Sequence, residues 1–223
     1  MARIREFFAR VDGVLRRRTW AVETAAVSTL LAMIVIFGFA YGGVMGSYSG
    51  FGGQMWRQSV YSAVKVPLML LATFAVSLPS FFVLNTLMGL RADFAIAFRS
   101  VLATQGALAV VLASLAPLTT FCYLSNLGYS AAVALNGLMF AIASFSAQVV
   151  LRGYYRPLIA RSRKHLWMVR TWAVLYMLVG IQMGWMLRPF IGDPTSRVEF
   201  FRQERFENAY VIVARLVWRV FVH

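Results

Sequence analysis

Five nearly uncharged apolar runs, each close to the roughly 20 residues a helix needs to cross a hydrocarbon core at about 1.5 Å per residue, dominate this chain. They fall at 25–46, 59–88, 100–123, 129–151 and 171–187. Inside a bilayer no water satisfies backbone N–H and C=O groups, so each run must close its own hydrogen bonds as a helix. The expected fold is therefore all-α: a polytopic transmembrane helical bundle of about five spans. Of the 223 residues, 60% are hydrophobic and 13% charged, against about 25% charged in soluble domains, which excludes an ordinary water-soluble globule. With no repeat or linker visible, 20–191 reads as one bundle, flanked by a basic amphipathic helix at 1–19 and an amphipathic segment at 192–223.

Charge orients the bundle. Lys65 and Lys164 are the only lysines among 22 cations, set against 8 acids. Arg3, Arg5, Arg10 and Arg16 to Arg18 precede the first run. Arg91 and Arg99 lie between the second and third, and Arg152, Arg156, Arg161, Arg163, Lys164 and Arg170 between the fourth and fifth. The two opposite connections, 47–58 and 124–128, hold only Arg57. That asymmetry predicts a cytoplasmic N-terminus, and an odd number of spans puts the C-terminus on the opposite side. A pI near 11 then needs no nucleic-acid partner, because this rule and anionic lipid headgroups account for clustered arginine.

Both ends are amphipathic. Ile4, Phe7, Phe8, Val11, Val14 and Leu15 recur at helical spacing among arginines, which suits a helix on the anionic leaflet or a flank that only fixes topology. In 206–222, Arg215 and Arg219 would each cost about 2.5–3.5 kcal/mol inside a span. A helix on the outer surface is expected there in preference to a sixth span. Pro67 and Pro79 predict a kinked second span, Pro117 interrupts the third, and Pro189 follows the fifth.

Chemistry-bearing residues are sparse. His165, in a basic loop, and His223 are the only histidines, Cys122 the only cysteine, and the acids are scattered. No nucleophile–base pair, metal set or cofactor motif is expected, and the chain reads as non-enzymatic. An enzyme acting on lipid would need Glu23 or Asp93. The glycines are more regular: Gly38, Gly42 and Gly46 step by four near the end of the first span, and Gly180 and Gly184 repeat the step in the fifth. Such faces let helices approach closely, either within the bundle or between copies. Polar side chains also align: Ser62, Lys65, Thr73, Ser77 and Ser80 in the second span, Asn136, Ser144 and Gln148 in the fourth, with Gln105 and Gln182 in the third and fifth. They fit interhelical hydrogen bonds or a hydrated path in which Lys65 sets an anion-favouring field. Trp185, Arg188 and Asp193 fit an outer-interface clasp, beside Pro189 and Gly192.

The run from Lys65-Val66-Pro67-Leu68 to Leu90, the connector Arg91-Ala92-Asp93-Phe94, and the Ala/Leu-rich span ending near Ala116-Pro117 resemble bacterial members of the Yip superfamily. The resemblance implies a five-pass protein, related to eukaryotic proteins that interact with Rab-type GTPases. The segment Trp185-Met-Leu-Arg-Pro-Phe-Ile-Gly-Asp-Pro, with Phe200-Phe201-Arg202 beyond, is instead similar to an uncharacterised family of bacterial multi-pass proteins. That difference counts against a trafficking role, and neither resemblance supplies catalytic residues. The sequence thus predicts an inner-membrane protein acting by helix association, as a homo-oligomer or a subunit of a larger membrane complex. Its expected partners are anionic lipids and itself or other membrane subunits; a small oligomeric channel or transporter is the alternative.

Overall fold

A computed structural model describes residues 2–18, 22, 26–50, 52, 54–192 and 198–201. Asp193, Glu23 and the amphipathic 206–222 segment lie outside them. Six α-helices are described: α1 (Ala2–Leu15), α2 (Val27–Gly46), α3 (Met55–Leu87), α4 (Phe94–Leu124), α5 (Tyr129–Arg161) and α6 (Lys164–Met186). Short 3-10 turns at Ser47–Ser49 and Arg91–Asp93 precede α3 and α4. The last five helices are long and apolar enough to cross a membrane, so the all-helical bundle expected from hydropathy is the fold observed.

Several helices outrun the apolar segments that announced them. The fourth run ends at Leu151, yet α5 continues through Pro157 to Arg161; the fifth begins at Thr171, yet α6 starts at Lys164. Arg, Lys, Leu and Tyr sustain a helix past the hydrocarbon edge, their stems along apolar surface and their charges outward. The basic connection expected at 152–170 is thus almost entirely helical, and residues 162 and 163 alone separate the two helices. Pro67 and Pro79 both sit inside a single α3, so neither proline ends the second span.

At the basic end, α1, expected on the anionic leaflet or as a flank that only fixes topology, is docked on the bundle. Val11 and Val14 are buried, the Phe7 ring stacks on Phe37 of α2 at 6.2 Å, and the Tyr154 hydroxyl donates to the Val14 carbonyl at 3.0 Å. Ile4 and Phe8, one turn apart, remain exposed. The 88–93 turn is tied to the α5–α6 junction: Asp93 accepts from Arg161 at 3.4 Å and pairs with His165 Nε2 at 3.1 Å, while Lys164 donates to the Met88 carbonyl at 3.0 Å. His165, expected in a loop, is fully buried in the first turn of α6. Further along, Trp172 of α6 is buried against Phe81 and Phe74 of α3, with ring centroids 4.9 and 6.1 Å away; edge-to-face rings of this kind hold the last helix on the second span.

Candidate functional site

At the far end from the arginines, the chain leaves α6, passes a cis Arg188–Pro189 bond, and folds back over the ends of α2 and α3 as a short strap, 189–192. Strap carbonyls have no helical partner, and one left unpaired away from water costs about 1–3 kcal/mol. The donors come from α3, where Gln58, Ser62 and Lys65 lie at steps of four and three and hence on one face. Gln58 Nε2 reaches the Pro189 and Phe190 carbonyls at 3.1 and 3.0 Å, Ser62 donates to the Phe190 carbonyl, and Lys65 Nζ donates to the Pro189 carbonyl at 2.7 Å. Ser49 completes the set on Gly192 at 2.7 Å. A Cβ at Gly192 would sit 2.9 Å from Gln58 Cγ, so the close approach needs glycine there.

Lys65 has no solvent exposure. Its ammonium lies 4.9 Å from the centre of the Phe200 ring, and among the described residues no carboxylate lies within ion-pair distance of it. A backbone carbonyl and an aromatic face therefore hold this cation. Irregular backbone among packed helices is tolerated where protein satisfies it, and Gln58, Ser62 and Lys65 of α3 supply the partners here.

The other polar residues divide between separate surroundings. Asn136 belongs to a bridge between three helices. It accepts from the Tyr41 hydroxyl of α2 at 2.9 Å and donates to Tyr123 of α4 at 2.6 Å; Tyr123 donates to the Met45 carbonyl at 3.2 Å. Ser77 and Gln105 are buried, and Ser77 Oγ and Gln105 Oε1 have no partner among the described residues. Ser80 is exposed, and Gln182 is partly exposed on α6. Thr73, Asn136, Ser144 and Gln148 do meet, in the wall of a cleft of about 810 Å³ between α5 and α6. Joined tightly at the basic end, these two helices diverge toward the other; Met69 and Thr73 of α3 and Leu108 of α4 form the floor, and the strap with Arg188 closes the far end.

The glycine ladder is engaged within the chain. A Cβ at Gly38 would lie 3.3 Å from Pro67, one at Gly46 2.7 Å from Ser59 Cα, and one at Gly42 would overlap the Ser62 carbonyl. Gly38, Gly42 and Gly46 are thus the contact face of α2 on α3. Gly180 and Gly184 are looser, with Thr73 Cγ2 and Met69 Sδ each 3.6 Å from an added Cβ, and they widen the cleft. Of the expected clasp, Arg188 lies over the Trp185 ring at 3.5 Å, while its proposed partner Asp193 is outside the described residues.

Compared with known families, curated proteins and solved structures, the chain matches none. Its function must be argued from its own geometry. Gln58, Tyr41 and Tyr123 were not singled out by sequence. A Gln four residues before Ser62 and seven before Lys65, on the same α3 face, was a usable signal for the first. The two tyrosines resemble aromatic-belt residues until their hydroxyl partners are known.

Proposed function

We propose that this chain is a non-enzymatic, multi-pass component of the bacterial inner membrane that works by associating with other membrane components. The N-terminus and the arginine-rich helix ends face the cytoplasm, where anionic headgroups complement them. Association takes place through helix faces that the chain's own fold leaves unpartnered, either with a second copy or with another membrane subunit. One observation carries this reading: only 17% of the apolar window of α6 is buried inside the chain, against 39% for α3. The α6 side chains Trp167, Val174 and Leu178 are exposed and are not part of the cleft wall. A conducting path, the competing reading, is weakened because Ser62 and Lys65 are committed to strap carbonyls and Ser77, Ser80, Gln105 and Gln182 lie outside the cleft that Thr73, Asn136, Ser144 and Gln148 share.

Cysteine crosslinking in native membranes tests the association. In a Cys122→Ser background, Val174→Cys is expected to give a bismaleimide-linked dimer or a discrete adduct with another membrane protein. Phe121→Cys, exposed on α4, serves as the control face and is expected to give neither. A strictly monomeric particle in lipid nanodiscs, with no adduct from Val174→Cys, would end the proposal.

A further inference from the structure

We infer that the cleft between α5 and α6 is a binding site for one anionic phospholipid, its acyl chain between the two helices and its phosphate at Arg188. The inference goes beyond the association proposed above and does not rest on it. The volume, about 810 Å³, lies within the range of about 300–1,000 Å³ typical of small-molecule pockets. Its walls are chiefly aliphatic and aromatic, including Phe140, Met177 and Ile181. Along α6 it runs from Ala173 to Arg188, about 22 Å at 1.5 Å per residue, longer than the roughly 15 Å of one leaflet. A chain entering from the far-end boundary therefore fits without bending back.

Two features make this more than a gap that any lipid would fill. The first is the space at Gly137 on the α5 wall, where an added Cβ would meet nothing within 4 Å, so the opening is not a packing defect sealed by neighbours. The second is charge. Arg188 lines the mouth, and Lys65 is bonded to the adjoining Pro189 carbonyl. Arg188 is the cation at the end where a headgroup would rest, whereas Lys65 is fully buried and is not part of the cleft wall. Guanidinium matches phosphate in geometry as well as sign, and among the described lining residues no carboxylate is present to pair a choline ammonium, which favours a lipid of net negative charge over a zwitterionic one.

Native mass spectrometry of the full-length protein, exchanged into equimolar phosphatidylglycerol and phosphatidylcholine and then stripped with detergent, tests this. The wild type is expected to keep one phosphatidylglycerol per chain, at least fivefold over phosphatidylcholine, with the preference falling as salt rises. Gly137→Phe, which fills the cleft, should lower retention at least tenfold while leaving helicity and elution volume unchanged. Arg188→Gln should retain lipid but bring the preference toward one. Benzoylphenylalanine in place of Val133, on the cleft wall, should yield a lipid adduct. The inference is overturned if the wild type keeps no lipid, if its preference ignores salt, if Gly137→Phe retains as much as the wild type, or if the Val133 probe captures a protein helix instead.

Discussion

A methyl group on Gly42 has no room: it would overlap the Ser62 carbonyl and come within 2.9 Å of Ala63 Cα, both of them backbone on the facing helix. Neither atom can give way without moving α3 as a whole. Gly42→Val is therefore expected to destabilise the bundle by about 1–3 kcal/mol, in the range of overpacked cores, and to lower the melting temperature in detergent by roughly 5 °C. Gly137→Ala makes the contrasting case, since the space beside it is open and alanine favours helix by up to about 1 kcal/mol. It should melt at or above the wild type. Equal melting temperatures for the two variants would contradict the intramolecular role of the ladder. The four-residue step was visible in the sequence, whereas its partner was not, because spacing marks a smooth face without naming what lies against it.

At the scale of elements, the strap depends on α3 for every donor but Ser49. Gln58→Met keeps the side chain's length and removes the carboxamide N–H donor that serves two carbonyls. Losing about 1.4 kcal/mol of strap docking is a tenfold change in its open population. In a Cys122→Ser, Ile191→Cys protein, where position 191 is buried, Gln58→Met should speed maleimide labelling about tenfold. Unchanged labelling would mean that packing alone holds the strap. Hydropathy revealed the five spans because hydrocarbon filters residue types over long windows. The strap left no such trace, since its acceptors are backbone carbonyls that every residue carries. The cleft was equally hidden: Ser144, Gln148, Gly180 and Gly184 each stood out, but their meeting depends on the angle between two helices, which no local pattern encodes. The extensions of α5 and α6 were missed because arginine marks the hydrocarbon edge without marking the end of a helix.

For the whole molecule, the arrangement of ends sets a topological expectation. Ala92 and Ser125 are both exposed, at opposite ends of α4. In Cys122→Ser cells, an impermeant maleimide should label Ser125→Cys in intact cells and Ala92→Cys only after permeabilisation. The reverse pattern would invert the orientation read from arginine placement. The Lys65–Pro189 bond, which spans 124 residues of chain, has a consequence for biogenesis. During synthesis the amine of Lys65 leaves the ribosome long before its acceptor exists, so the nascent second span must wait in the membrane with an uncompensated cation. Arrival of the final hairpin end relieves that predicament. A chain stopped before residue 189 would never gain that acceptor.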